Sequence, residues 1–220
     1  VAEEGGSFGD IYVRGFQRND AGEILVGTNG LPKLTSKKTV KVGNANPDWT
    51  GGWSNTFRYK NLSLNVLIDT KQGGKIVSFT DAVLSGYGST ARTLAGREGG
   101  IVFPGVLDSG EKNTKEINAE TLWTTLGGRN NPVGEVFVYD ASFIRLKEIS
   151  LSYSFPKSVL GKLPFTGLSL GIYGKNLCYL QNKAGIFDPE MTVGTGNNQA
   201  LEAFALPSTR SFGINLNVSF

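Results

Sequence analysis

Strict alternation of apolar and polar residues is the most regular pattern along this chain of 220 residues. Successive side chains of a β-strand point to opposite faces of its sheet, so a period of two indicates a strand whose two faces meet different surroundings. The pattern recurs in stretches of about the length that a membrane-spanning strand needs, roughly 9–11 residues. It predicts strands at 49–60, 61–70, 142–155, 166–178 and 209–220.

The second and the last of these stretches carry the most regular apolar series, with small polar residues between most of its members. The apolar positions are Leu62, Leu64, Val66 and Ile68 in one stretch and Phe212, Ile214, Leu216 and Val218 in the other. The third stretch is less regular, because Arg145 and Lys147 fall in its otherwise apolar series. We expect these two charges to lie above the hydrocarbon level if the strand crosses a membrane.

Two fold classes are compatible with this alternation. In a soluble antiparallel sandwich the apolar face packs on a second sheet, and in a membrane barrel it meets lipid. The polar positions here are mostly Ser, Asn, Gly and Thr, whereas the surface of a soluble sheet usually carries more Lys and Glu. The connections also alternate between short (60–61 and 156–165) and long (70–141 and 181–209), as they do in outer-membrane barrels. We therefore predict an all-β fold of antiparallel strands that form part of a large transmembrane β-barrel.

The segments outside these strands are polar and rich in glycine, and we expect them to contain short elements of their own. Residues 1–48 are predicted to be a separate loop segment, in which 11–16 and 23–26 pair as a β-hairpin. Within the connection 70–141, residues 80–94 have helical character, and 118–126 predicts a short helix with Asn118 as its N-cap. The barrel strands and their loops would occupy 49–220.

Composition excludes several kinds of chemistry. The chain has no histidine and a single cysteine, Cys178, so it lacks Ser-His and Cys-His nucleophile pairs, the usual zinc sites and an internal disulfide. The net charge of +3 is small and the lysines are scattered, which disfavours a nucleic-acid partner. We expect no cofactor, since neither the dinucleotide nor the phosphate-binding glycine motif occurs. Asp188 and Glu190 are candidate calcium ligands, although no third acidic residue is near them.

Specific motifs accompany the alternation and follow one another in a fixed order. They are GNANPDWTGG at 43–52 with NTFRYK at 55–60, YDASFIRLKEISLSY at 139–153 followed by Pro156, GKNL at 174–177, DPE at 188–190, and PSTRSF at 207–212. In order and spacing they resemble the late barrel strands of the SusC/RagA family of TonB-dependent transporters. The resemblance extends from about Gly43 to Phe220, and the residues before Gly43 fit it only loosely.

The resemblance implies a fold and a function. Transporters of this family form a 22-stranded barrel in the outer membrane of Gram-negative bacteria and import glycan or peptide fragments without chemical change to the substrate. They pair with a SusD-like surface lipoprotein, and the TonB complex engages N-terminal parts that have no counterpart here. We therefore expect these residues to be the C-terminal part of a longer protein, with 1–48, 70–141 and 181–209 outside the cell. The two apolar series would face membrane lipid, and Phe220 resembles the C-terminal signal for barrel assembly.

Two rival functions remain open at the level of the residues. One is a soluble all-β module that binds carbohydrate through Trp49, Trp53 or Trp123. The other is a glycosidase that works with carboxylates alone, which needs two acidic groups about 5–10 Å apart. The lack of an acidic pair on any predicted strand face disfavours the glycosidase.

Overall fold

The computed structural model describes residues 4–161, 164, 166–194, 196 and 198–220, so parts of the predicted loop segment 1–48 and of the connection 156–165 lie outside the described residues. The strands are β1 (Asp10–Val13), β2 (Val40–Asn44), β3 (Trp49–Tyr59), β4 (Leu62–Gln72), β5 (Lys75–Ser78), β6 (Ile101–Val102), β7 (Glu116–Ile117), β8 (Val138–Asp140), β9 (Phe143–Ser154), β10 (Gly167–Asn182), β11 (Leu201–Glu202) and β12 (Ser211–Ser219). The helices are α1 (Phe79–Gly86), α2 (Ala119–Leu126) and α3 (Lys157–Leu160), with 3-10 turns at Ala91–Leu94 and Gly134–Phe137.

The described residues form two compact units, each assembled from separate stretches of chain. The sheet unit contains Pro47–Gly73, Ala141–Met191 and Leu206–Phe220. The mixed unit contains the described residues of 4–46, 74–140 and 192–205. The sequence predicted one boundary at residue 48; in the structure, the first segment instead packs with residues of both long connections.

The sheet unit is an antiparallel meander in which strands that follow one another along the chain are also neighbours. Within the described residues its order is β12-β10-β9-β4-β3. A two-residue turn joins β3 to β4, since Tyr59 pairs with Leu62 and Lys60 has a positive φ of 52°. The strands lie where alternation predicted them, and β10 continues to Asn182, beyond the predicted end at 178.

A β-bulge changes the phase of β9 halfway along its length. Leu67 of β4 pairs with Glu148, but the next residue, Ile68, pairs with Leu146, so Lys147 is left over. One extra residue exchanges the faces of everything beyond it. Leu146 therefore continues the apolar series, and Arg145 lies on the opposite face. The expectation that Arg145 lies on the apolar face was wrong, because the sequence alone does not reveal the bulge.

The first segment also folds differently from its prediction. β1 pairs with β2, so Ile11–Val13 does not pair with 23–26. Ile11 and Val13 are buried there in a cluster with Ala45. The turn sequence at 19–22 closes a smaller hairpin, in which the Leu25 amide donates to the Gln17 carbonyl at 2.9 Å. Burial of the first apolar residues against β2 outweighs the local turn preference.

The long connection 74–140 contains both predicted helical regions. The Asn118 side chain accepts a hydrogen bond from the Glu120 amide at 2.6 Å and caps α2 as expected. The region 80–94 divides into α1 and a 3-10 turn, and Gly88, with a positive φ of 70°, turns the chain just after α1 ends. The backbone at Gly86 also lies so close to Gly128 that a β-carbon would approach the Gly128 amide nitrogen to 2.3 Å. Among the described residues, no helix is long and apolar enough to cross a membrane.

Candidate functional site

The pairing of the sheet strands collects the apolar series into one continuous face. A single row across all five strands of the sheet consists of Phe57, Leu64, Leu151, Ile172 and Ile214. The adjacent row consists of Tyr59, Leu62, Tyr153, Leu170 and Leu216. The predicted lipid-facing residues on β4 and β12 thus lie on the same face. Many of these side chains are exposed, and Ile214 retains 75% of its accessible surface.

The apolar face has the height of a membrane's hydrocarbon layer. β3 has 11 residues, and Trp49 and Tyr59 lie on the same face at its two ends. At roughly 3.4 Å per residue these ends are about 34 Å apart along the strand, or about 26 Å after a barrel-like tilt of roughly 40°. Both aromatic side chains are exposed, which matches the aromatic girdles that border a membrane barrel.

The opposite face of the sheet is polar, and hydrogen bonds join side chains between its strands. Thr56 donates to Asn65 at 2.6 Å, and Asn65 donates to Ser150 at 3.3 Å. Tyr173 lies on this face over Gly213, where a β-carbon would approach the tyrosine oxygen to 2.4 Å. Glycine at this position lets the large ring lie flat against the sheet.

Arg145 is the centre of an ionic cluster on the polar face, and its side chain is only 5% exposed. Its Nη2 lies 2.8 Å from Oδ2 of Asp69, and its Nη1 lies 2.5 Å from Oε2 of Glu190. Phe143 and Tyr179 flank the guanidinium, with ring centroids 5.5 Å and 5.7 Å from Cζ. Lys147, the bulged residue, adds a second cation 2.9 Å from Asp69. The cluster thus attaches the segment around Glu190 to strands β4 and β9.

The Asp188 carboxylate makes a second attachment of the same segment. Its Oδ1 accepts hydrogen bonds from the Tyr179 hydroxyl at 2.5 Å and the Glu190 amide at 3.0 Å. Its Oδ2 accepts from the amide of Ser208 at 3.1 Å and from the Ser208 hydroxyl. Burial opposes the charged form, but the bonds from Ser208, Tyr179 and Glu190 outweigh it and lower the pKa of Asp188 below its ordinary value.

These contacts give the two calcium candidates a different role. Both oxygens of Asp188 accept protein hydrogen bonds, and Glu190 pairs with Arg145. Within the described ranges, no group of three or more His, Cys, Asp or Glu side chains could hold a metal ion. Asp188 and Glu190 therefore act as anchors of their loop in this structure.

The remaining candidate residues lie in both units. Trp49 and Trp53 are exposed on the apolar face of β3, whereas Trp123 lies on α2 in the mixed unit. Phe220 follows β12 and is 84% exposed. Trp49 and Trp53 lie on the same face of β3 as Phe57 and Tyr59, so they belong to the apolar face of the sheet.

The mixed unit contains a cavity of about 970 Å³. Its walls are β1, β5, the start of α1, the segment around Arg129–Asn131 and the segment before β11. The volume lies at the upper end of the range for ligand pockets, roughly 300–1,000 Å³. This cavity has no recognisable motif in the sequence, because its residues come from three separated stretches of the chain.

The fold of this chain matches part of a chain in the RagAB peptide importer. The structure of that importer in its closed-closed state matches with a TM-score of 0.58 at 20% identity, covering 95% of this chain and 23% of the importer chain. The open-open state matches with a TM-score of 0.60 at 18% identity, covering 95% and 22%.

Curated relatives with detectable sequence similarity are TonB-dependent receptors of Formosa agariphila. TonB-dependent receptor P3 is 28% identical over 225 residues, which cover 99% of this chain and 21% of the receptor. TonB-dependent receptor P26 is 27% identical over 200 residues, which cover 87% and 19%. No family model matches the chain. The chain spans about a fifth of the length of these relatives. The resemblance to TonB-dependent transporters that the motifs indicated is thereby confirmed.

Proposed function

We propose that this chain contributes adjacent barrel strands to a TonB-dependent outer-membrane transporter that imports glycan or peptide fragments. The observation that carries the proposal is the continuous apolar face of the sheet. Burial of a large apolar side chain is favourable by about 1.5–3 kcal/mol relative to leaving it in water. A sheet face with this many exposed apolar side chains is therefore more stable in contact with lipid or another apolar surface than with water. The similarity to TonB-dependent receptors along almost the whole chain supports the same conclusion.

In this proposal the sheet is part of the wall of a 22-stranded barrel in the outer membrane of a Gram-negative bacterium. The side chains that face lipid are Leu62, Leu64, Val66, Ile68, Phe212, Ile214, Leu216 and Val218. The polar face then lines the lumen, and Phe220 lies at the periplasmic rim, where it serves in barrel assembly. The short turn at Lys60–Asn61 is periplasmic, and the segments 1–48, 70–141 and 181–209 lie outside the cell.

The proposed partners follow from the same similarity. A SusD-like surface lipoprotein would bind at the extracellular side, and the TonB complex would supply energy through N-terminal parts of the protein. The substrate passes through unchanged, and the protein is not an enzyme. The names of its relatives, receptors and a peptide importer, support a transport role.

A pair of adjacent residues on β12 tests the orientation of the sheet. In a Cys178→Ser background, Ile214→Cys and Asn215→Cys place one thiol on each face. With the protein in native outer membranes, we expect a charged, water-soluble maleimide to label position 215 and not position 214, since only the polar face meets water. A lipid-soluble maleimide should label position 214. Equal labelling of both thiols by the charged reagent would show that the apolar face is not in lipid.

Uptake by whole cells tests the transport role. Cells that produce the protein should accumulate fluorescent glycan or peptide fragments, and loss of TonB should abolish the accumulation. The matched control is a strain with an intact TonB complex that lacks this protein. Accumulation that persists without TonB would contradict energy-coupled import.

A further inference from the structure

The cavity of the mixed unit has a marked excess of positive charge. Its lining includes the cations Arg14, Lys38 and Arg129 and, among the described lining residues, one carboxylate, Asp10. Among the described residues, none of these three cations forms an ion pair with a carboxylate. A concave site with excess charge of one sign concentrates ligands of the opposite sign.

Asp10 does not balance these cations, because other residues already bind it. Its Oδ2 lies 2.6 Å from Nζ of Lys41, and its Oδ1 accepts a hydrogen bond from the Asn44 side chain at 3.0 Å. Hydrogen bonds from Lys41 and Asn44 hold the pKa of Asp10 below its ordinary value, so the carboxylate is charged and paired at neutral pH. The cavity therefore offers no free carboxylate to a ligand among its described lining residues.

Arg14 is held in place in a way that leaves its charge available. Its Nε donates to the Thr35 carbonyl at 3.0 Å, and its Nη1 donates to the Asn131 carbonyl at 2.8 Å. Carbonyl partners fix the planar guanidinium without neutralising it. Lys38 and Arg129 are exposed, so their side chains can adjust to a ligand.

Aromatic side chains form part of the apolar lining, together with aliphatic residues such as Val77. Phe8 is 80% exposed, and Phe79 is half-buried at the start of α1. Flat apolar rings provide contact area for the faces of sugar rings, and a few polar groups then fix the orientation of a ligand. The lining thus combines aromatic contact area with cations that can bind a carboxylate or sulfate.

We propose that this cavity binds an anionic oligosaccharide, whose carboxylate or sulfate groups contact Arg14, Lys38 and Arg129. A peptide fragment fits less well, because its N-terminal ammonium would enter a positive cavity that has no free carboxylate to receive it. The inference rests on the proposed function only in taking the bound ligand to be the transported solute.

Binding to the purified, detergent-solubilised protein tests the inference without transport. The probes are digalacturonate and digalactose with the same linkage, which differ only in the two carboxylates, together with a sulfated digalactose and diglutamate. We expect digalacturonate or the sulfated probe to bind at least about fivefold more tightly than digalactose, corresponding to roughly 1 kcal/mol for exposed charge contacts. The affinity should fall as salt is added.

Variants locate the site. Lys38→Gln and Arg129→Gln should each weaken binding of the anionic sugar about three- to fivefold. Lys37→Gln is the matched control, since it removes a neighbouring cation outside the lining and should leave the affinity unchanged. The probe comparison and the salt series use the unaltered protein, so they remain decisive even if a variant fails to fold.

Several results would overturn the inference. They are equal affinity for digalactose and digalacturonate without a preference for the sulfated probe, tighter binding of diglutamate than of any sugar, or an equal loss of affinity in Lys37→Gln. TonB-dependent uptake together with any of these results would leave the proposed function intact and refute only the anionic sugar. Tight binding of an anionic sugar without TonB-dependent uptake would support the binding site and refute the proposed transport function.

Discussion

At the scale of single residues, Arg145 is a buried cation whose loss should lower stability. Its guanidinium is almost fully buried on the polar face, where Asp69 and Glu190 neutralise it. A buried ion pair often stabilises a protein no more than two apolar side chains in the same place would. Removal of one partner is nevertheless destabilising, because the other partner then loses its compensation. Arg145 therefore contributes mainly by satisfying carboxylates that the fold has already placed beside it.

We predict that Arg145→Met lowers the free energy of unfolding by about 1–3 kcal/mol, because Asp69 and Glu190 lose a buried hydrogen-bonding partner while Lys147 remains beside Asp69. Lys175→Met is the matched control, since Lys175 forms a partly exposed pair with Glu148 at 3.8 Å and should cost less than about 1 kcal/mol. Urea unfolding of the protein in lipid vesicles measures both. Equal losses in the two variants would contradict the role of Arg145.

Asp188 should make stability depend on pH in the acid range. Its folded pKa is below that of the unfolded chain, so its contribution is complete above the ordinary value of 3.8 and is lost as the pH falls through the lower folded value. The melting temperature of Asp188→Asn should therefore lie below that of the unaltered protein at pH 6, and the difference should shrink below about pH 4. Asp48→Asn, at an exposed carboxylate of the same unit, is the control. A difference that is constant across pH 2–6 would refute the prediction.

At the scale of the elements, the bulge at Lys147 decides which side chains of β9 meet which face. Without it, the residues from Phe143 to Leu146 would exchange faces, and Arg145 would lie among Ile68 and its apolar neighbours. A single extra residue thus lets β9 carry a regular apolar series after the bulge, from Ile149 onward, and a residue of the ionic cluster, Arg145, before it.

Insertion of one serine between Arg145 and Leu146 should impair assembly, because it moves Arg145 from its place opposite Asp69 to the apolar face, opposite Thr70. We expect the amount of heat-modifiable, folded protein in the outer membrane to fall about fivefold, since a lipid-facing arginine between the midplane and the interface costs roughly 1 kcal/mol or more. Deletion of Lys147 is the matched control, since Leu146 then follows Glu148 directly and Arg145 still lies opposite Asp69, so this variant should assemble normally. Equal amounts of folded protein from the two variants would mean that the face on which Arg145 lies is not important.

The positions of the sheet strands could be predicted from the sequence more accurately than the residue-by-residue pairing between them. Alternation is a local property, and it placed β3 and β12 within two residues of their ends in the structure. The bulge depends on the partner strand, so Arg145 could not be assigned to a face from its own neighbours. The anchors Asp188 and Glu190 were seen only as possible ligands, because Tyr179, Ser208 and Arg145 reach them from other parts of the chain.

At the scale of the whole molecule, the sheet is a single layer with contrasting faces. The proposed membrane role requires every strand to present its apolar row at the same depth, and the register meets this requirement from Phe57 on β3 to Ile214 on β12. A side chain halfway up the apolar face, such as Val66 opposite Asn55 of β3, is therefore the most sensitive to charge.

We predict that Val66→Arg destabilises the folded protein in bilayers by roughly 2–4 kcal/mol, because Val66 lies on the apolar face near the middle of its height, opposite Asn55 of β3. Asn65→Arg changes the preceding residue, which lies on the polar face, and should cost only about 1 kcal/mol through the lost hydrogen bonds with Thr56 and Ser150. Folded fractions in lipid vesicles across a urea series give both values. A larger loss for position 65 would reverse the assignment of the faces.

The interleaved course of the chain constrains how such a protein can change during evolution. The backbone passes between the two units after Asn46, Gly73, Asp140, Met191 and Ala205. Exchange of the mixed unit alone would therefore need three matched pieces at once, whereas a single contiguous segment would bring sheet strands with it. Point substitutions at the cavity, by contrast, leave every crossing untouched. We expect the ligand range of this lineage to have diversified by gradual replacement of side chains rather than by domain shuffling.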